Sequence, residues 1–309
     1  LPSDIFGNRA NSKGIDLDDA PTLQQTLAGI GKAFDRREVF AASLLDGRPE
    51  RTGTSYEVRN PSDLSETIGT AYAANEEIVA RAFAMAGKAF AGWNATPAAQ
   101  RAAILNKIAD LYEAHAHDLM ALCVHEAGKT LSDALGEVRE AVDFCRYYAA
   151  HGARDFDVNG GNLRSYTGES NNIMLQGRGV FVCISPWNFP LAIFTGQVVA
   201  ALMAGNAVLA KPAEQTPFIA QAAVHLMHKA GIPKEVLALI IGDGRVGEML
   251  VQHKNVAGVA FTGSTGAAWS INRTLAAKDG PIVPLIAETG GQNAIIADSS
   301  SLTEQVVDD

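Results

Sequence analysis

Glu288 is followed by Thr289, Gly290 and Gly291 and comes just after the apolar run Ile282–Ile286. A carboxylate there reads as a general base at the end of a strand, beside glycines that let a ligand approach the backbone closely. Three other segments pair an apolar run with residues able to hold or polarise a ligand. In Ile184-Ser185-Pro186-Trp187-Asn188-Phe189-Pro190, two prolines brace a loop that presents Trp187 and Asn188. The Asn188 amide can donate two hydrogen bonds to a developing oxyanion. In AKPAEQTP, Lys211 ends a strand that Pro212 stops, and Lys211 with Glu214 is placed to grip ribose hydroxyls. Thr216-Pro217 then caps and opens a helix. In FTGSTG, the small residues Thr262, Gly263 and Ser264 leave backbone N–H groups and a hydroxyl at a helix start, which suits a phosphate.

Each segment also has a plainer account: a braced turn around a core Trp, a solvated lysine, a glycine turn, a surface glutamate. What argues for chemistry is all four in order on one α/β chain. Gly242-Asp243-Gly244-Arg245-Val246-Gly247 matches the dinucleotide pattern GxGxxG. That pattern expects a ribose-binding acid about twenty residues on, but no Asp or Glu lies between Glu248 and Asp279. The loop is therefore read as a glycine turn that packs strand on helix, with Gly244 and Gly247 lining an adenine pocket as an intermediate role. The three cysteines, Cys123, Cys145 and Cys183, form no CxxC pair and sit in apolar surroundings. They read as buried small hydrophobes rather than nucleophiles.

The elements that must carry these loops follow from apolar periodicity. Strands are expected at Val180–Ile184, Ala207–Ala210, Val236–Ile241, Gly258–Phe261, Ile282–Ile286 and Ala294–Ala297, with helices between them at Leu191–Ala204, Pro217–Ala230, Arg245–His253 and Ala267–Ala277. Repeated β-α-β with wholly apolar strands means a parallel sheet covered on both faces. Upstream, residues 1–50 read as a polar linker or lead-in with one helix near Leu23–Phe34, followed by a strand at Tyr56–Asn60. A helix capped by Asn75, a helix from Pro97 to Ala127 ended by Gly128, and a helix over Lys129–Ala150 come next. Asp155–Asn172 reads as a protruding hairpin.

With 309 residues and 47% hydrophobic content, the chain can bury a core. A net charge of −9 argues against nucleic-acid binding. No apolar run is long enough to span a membrane, no signal-peptide pattern is present, and no metal site is expected. An odd cysteine count without a disulfide framework suits the cytoplasm.

PWNFP, KPAEQTP, FTGST and ETGGQNA, in this order, resemble the signatures of the aldehyde dehydrogenase superfamily and cover most of residues 55–309. NRANSKGIDL (Asn8–Leu17), TGESN (Thr167–Asn171), ISPWNFPLAIFTGQVVAAL and PLIAETGGQNA resemble the dehydrogenase region of its bifunctional proline-catabolic flavoenzymes. The resemblance implies an α/β fold: an NAD-binding domain over residues 51–309, built on a doubly wound parallel sheet with an N-terminal helical region and an oligomerisation hairpin. It implies NAD-dependent oxidation of L-glutamate γ-semialdehyde to glutamate, with FAD only in an upstream domain. It assigns Asn188 to the oxyanion, Glu288 to water activation, Lys211 and Glu214 to the adenosine ribose and Ser264 to the pyrophosphate. Ile184, Ser185, Pro186, Trp187, Thr262, Gly263, Thr289 and Gly290 complete the cofactor loops, while Glu126 and Phe144 line the aldehyde site. For Glu126 a helix-cap role stands beside that reading. The expected partners are a small aldehyde and further copies of the chain. The resemblance also puts the nucleophilic cysteine in a second domain downstream of Glu288, and no cysteine follows Cys183. The chain, which starts at Leu1, is thus expected to be the NAD-binding part of a longer dehydrogenase, inactive without that domain. The alternative is a non-catalytic nucleotide-binding or interaction module.

Overall fold

The computed structural model describes residues 5–7, 9–157 and 160–308. Leu1, Asn8, Val158, Asn159 and Asp309, which the sequence reading touches, lie outside the described residues.

The N-terminal part is more structured than a polar lead-in. Helix α1 (Ala20–Asp35) starts at Asp19, whose carboxylate accepts the Thr22 amide at 3.0 Å. Strands β1 (Phe40–Leu45), β2 (Arg48–Glu50), β3 (Ser55–Asn60) and β4 (Asp63–Tyr72) follow. Part of the expected linker is therefore a sheet strand: Ala41, Ala42, Ser43 and Leu44 of β1 are fully buried. Its shortness and flanking charges hide it from a periodicity reading, and burial comes from neighbours distant in sequence. Helix α2 (Glu76–Ala95) begins at Asn75, which accepts the Ile78 amide at 3.0 Å. The single helix expected from Pro97 to Ala127 is two, α3 (Ala98–Ala114) and α4 (Ala116–Ala127). The break at His115 lets α4 turn onto α1 while α3 stays on α5 (Leu131–Asp155). Gly128 ends α4 in the left-handed region, at φ 65°, which favours glycine.

A two-stranded antiparallel hairpin, β5 (Gly161–Leu163) with β6 (Asn171–Ile173), stands where the protruding hairpin was expected. The alternating α/β part follows: β7 (Val180–Ile184), α6 (Ala192–Met203), β8 (Ala207–Lys211), α7 (Pro217–Ala230), β9 (Leu237–Leu239), α8 (Gly244–Gln252), β10 (Val256–Thr262), α9 (Thr265–Ala276), β11 (Leu285–Glu288) and α10 (Thr303–Asp308). Ala294–Ala297, expected as a strand, is neither strand nor paired; Ile295 and Ile296 are exposed. An apolar run without a partner for its backbone groups has no ladder to join.

Among the described residues the main sheet runs β11-β10-β7-β8-β9-β1-β4-β3, with β2 paired to β1. The five strands from β11 to β9 are parallel, as expected for a doubly wound sheet. β1 joins β9 antiparallel and carries the sheet on into β4 and β3. One core runs along the sheet, with α2 and α8 packed against strands and α3, α5, α6 and α7 in contact with one another.

Candidate active site

The register places the four loops together. Ile184 pairs with Lys211 and with Phe261, and Thr262 pairs with Glu288. The last residues of β7, β8, β10 and β11 therefore stand on neighbouring rungs at one edge, the carboxyl edge where doubly wound sheets bind ligands. The backbone ties the loops across this edge: the Ser185 amide donates to Lys211 O at 3.1 Å and the Gly263 amide to Glu288 O at 3.1 Å.

The first loop leaves β7 with Ser185 and Pro186 at its base. Trp187 is 56% exposed, which rules out the core-Trp account. Asn188 is exposed beside it.

In the second loop, Lys211 is 4% exposed and its Nζ donates to Pro212 O at 2.9 Å. Burial pushes the ammonium down to about 8, against the opposing pull of the Glu214 and Asp243 carboxylates. A solvated lysine is thus excluded. Glu214 and Asp243 line an open cleft of about 730 Å³ together with Tyr56, Arg245 and Met249. The Tyr56 hydroxyl donates to Glu214 O at 3.0 Å and braces the loop. Asp243 and Tyr56 were missed from sequence. Asp243 stands inside the GxGxxG match, where its signal as a helix cap was available, whereas Tyr56 comes from a strand far away in sequence.

The GxGxxG loop has the geometry of a packing turn. A side chain at Gly242 (φ 156°) would meet Val246 Cγ2 at 2.3 Å. The Asp243 carboxylate accepts the Arg245 and Val246 amides at 3.0 and 3.4 Å, so the start of α8 is already satisfied. Gly244 faces open space, and the Cα of Gly247 sits over the Lys211 stem, where a Cβ would be 3.6 Å from Cδ.

At the third loop Ser264 caps α9, accepting the Ala267 amide at 3.2 Å. The helix start is exposed, and the Thr265 and Gly266 amides lack intrahelical partners by position. Thr262 Oγ1 accepts from Gln197 Nε2 at 3.0 Å. Thr262, Glu288 and Phe144 line a second cleft of about 330 Å³ with Phe181, Gln197 and Ile286. Phe144 reaches it across α6, where a Cβ at Gly196 would lie 3.1 Å from its ring. Glu288 is exposed, with Thr289 and Gly290 following it out of the sheet.

Glu126 sits elsewhere. It is 2% exposed, and its two carboxylate oxygens accept the Phe218 and Ile219 amides at 2.7 and 2.8 Å. It therefore occupies the place of a helix cap on α7, and burial pushes its carboxyl up to about 8 while those two bonds pull it down. The three cysteines are buried. Burial pushes Cys183 up to about 12 and Cys123 and Cys145 upward as well, so none is poised as a thiolate.

Similarity to known proteins follows the same residues. Bifunctional protein PutA of Klebsiella aerogenes is 44% identical across the whole chain, which spans 23% of that relative. The 1-pyrroline-5-carboxylate dehydrogenase of Geobacillus sp. (strain WCH70) is 39% identical over 97% of the chain, which spans 56% of it. A crystal structure of a Bradyrhizobium japonicum Proline Utilization A variant superposes with a TM-score of 0.83 at 50% identity, covering all of this chain and 28% of that one. The Thermus 1-pyrroline-5-carboxylate dehydrogenase with bound NAD superposes with a TM-score of 0.86 at 30% identity, covering 91% of this chain and 55% of that one. The chain thus spans about a quarter of the PutA relatives and about half of the shorter dehydrogenases. No helix among the described residues is long and apolar enough to cross a membrane. The aldehyde dehydrogenase family profile matches residues 48–309, the stretch that contains all four loops, and the chain belongs to that family.

Proposed function

We propose that this chain is the NAD-binding part of a dehydrogenase that oxidises L-glutamate γ-semialdehyde to glutamate. The observation that carries the reading is the burial of Lys211 at the end of β8, in the field of the Glu214 and Asp243 carboxylates and on the same sheet edge as Glu288. These groups fit NAD. The two carboxylates along the open cleft can accept bonds from ribose hydroxyls, and the Lys211 ammonium, which donates to Pro212 O at the base of the same loop, is the donor nearest that loop. The open start of α9 at Ser264 offers amides to a pyrophosphate. When bound, NAD supplies the hydride acceptor.

The chain's own residues do the rest. Ile184, Ser185, Pro186 and Trp187 shape the loop that directs Asn188, whose amide stabilises negative charge on the aldehyde oxygen. Thr262 lines the second cleft with Gly263 next to it in the chain, and Gly244 and Gly247 belong to the turn of helix whose Asp243, Arg245 and Val246 line the first. Glu288, with Thr289 and Gly290 leading away from it, takes a proton from the attacking water. Phe144 gives that cleft an apolar wall. The nucleophile of such a reaction is a thiolate, and none of these buried cysteines can serve. It would come from residues outside these 309, as would any flavin chemistry of a bifunctional enzyme. The exposed Leu163, Tyr166 and Ile173 around the β5–β6 hairpin are the surface on which a second copy would dock.

Calorimetric titration of NAD into this chain should show binding that weakens at least tenfold in Lys211→Ala. In the longer protein that contains these residues, L-glutamate γ-semialdehyde should yield NADH, and Glu288→Ala should stop turnover while leaving NAD affinity within about twofold. Equal affinity in Lys211→Ala, or full turnover in Glu288→Ala, refutes the assignments. By itself this chain should bind NAD without turning over aldehyde.

A further inference from the structure

The loop that carries Trp187 and Asn188 is held by a residue that no sequence motif marked. Glu137 on α5 is 1% exposed. Its Oε2 accepts two amides, Leu191 at 3.2 Å and Ala192 at 2.9 Å. These are the two residues directly after Pro190, where the loop becomes helix α6. Its other oxygen, Oε1, is 2.9 Å from Lys129 Nζ. Lys129 in turn sits 4.1 Å over the ring of Phe189, inside the same loop. A buried carboxylate and its ammonium therefore grip the loop on both sides of Pro190, while Trp187 and Asn188 stay exposed at its tip. Seven residues along the same helix, two turns away, Phe144 lies against α6 at Gly196, so one face of α5 sets both the loop and the apolar wall of the second cleft.

We propose that Glu137 is a positioning residue for the Ser185–Pro190 loop, which with Lys129 as its counter-ion sets the attitude of Trp187 and Asn188 toward the bound cofactor and aldehyde. The proposal rests on the cofactor role given to this loop above. Capping alone would not require the second arm. At α7, Glu126 performs a simple cap, spending one oxygen on each amide. Glu137 places both amides on one oxygen and keeps the other for Lys129, whose ammonium also sits over the Phe189 ring. A rigid loop of this kind spares the ligand the cost of ordering it.

The asymmetry yields a test that lost packing does not mimic. In Glu137→Gln the amide oxygen can still take both backbone N–H groups, but its NH₂ would face the Lys129 ammonium, donor against donor. The side chain should then turn, releasing Leu191 and Ala192. Hydrogen exchange at these two amides should quicken by about tenfold, and NAD should bind at least threefold more weakly. Glu137→Gln combined with Lys129→Met removes the clash. It should return exchange and NAD affinity to within about twofold of Lys129→Met alone. Unchanged exchange in Glu137→Gln overturns the clamp. Faster exchange with unchanged NAD affinity overturns positioning and leaves a fold-only role. Failure of the double variant to recover shows that the charge pair is not what holds the loop, and also overturns it. Exchange is read without ligand, so a wild-type chain that binds no NAD would sink the cofactor reading while the clamp is still tested.

Discussion

Lys211 is an ammonium held out of water by the fold, and replacing it separates function from stability. Its side chain is 4% exposed, lies under Gly247 and donates a hydrogen bond to Pro212 O. Burial lowers it from 10.5 to about 8. At ~1.4 kcal/mol per pH unit, this corresponds to about 3 kcal/mol spent on keeping the charged form buried near neutrality. The sign follows from the direction of the shift. Above about pH 10.5 the lysine is neutral in both states and there is no penalty. As the pH falls, the unfolded chain takes up the proton first, so stability declines until the folded lysine titrates near 8, and below that it is flat. Lys211→Met keeps the apolar stem and removes the charge, forfeiting about 1 kcal/mol of hydrogen bond. The variant should therefore be more stable than wild type by about 2 kcal/mol at pH 7, with the advantage vanishing by about pH 10.5. Urea denaturation between pH 6.5 and about pH 10.5, read by far-ultraviolet dichroism, measures this directly. NAD at a hundred times the wild-type dissociation constant should add about 2.7 kcal/mol to wild type and about 1.4 kcal/mol or less to the variant, narrowing the gap by about 1.3 kcal/mol or more. A variant less stable than wild type at every pH, with a parallel profile, would refute the argument that this buried charge is a cost retained for binding.

Other outcomes follow from burial and close packing. In the native chain Cys123, Cys145 and Cys183 should resist iodoacetamide at pH 8, and all three should react once urea unfolds it; rapid native modification of any one, located by mass spectrometry, would restore it as a candidate nucleophile. Gly258→Ala would place a methyl 2.1 Å from Phe181 Cζ on the paired strand, and should cost about 1–3 kcal/mol. By contrast, Gly136→Ala on the exposed face of α5, with nothing within 4 Å, should add about 0.5–1 kcal/mol. Equal effects from the two substitutions, compared by denaturant midpoint, would contradict the packing argument.

The sequence by itself determined the features encoded in a few consecutive residues. Val180–Ile184 and Pro217–Ala230 are strand and helix with the expected ends, because a continuous apolar run and a Pro-started amphipathic stretch are local signals. The four loops were legible for the same reason, as was the inertness of cysteines lodged in apolar runs. The incompleteness of the GxGxxG match was also readable, and the structure gives the glycine turn its packing reason in Gly242 against Val246 and Asp243 on the start of α8. Only the tertiary structure decided which residues meet. It brought Phe40–Leu45 and Asp63–Tyr72 into the sheet, split the helix at His115 so that α4 could reach α1, and left Ala294–Ala297 without a partner strand. It set Glu126 on the amides of α7, Tyr56 under Glu214, and Glu137 with Lys129 on the loop of Asn188. A lone glutamate in a helix looks the same in sequence whether it faces water or takes the buried amides of another helix. What separates the two is burial by segments more than fifty residues away, a free-energy difference set by packing rather than by any local pattern of residues.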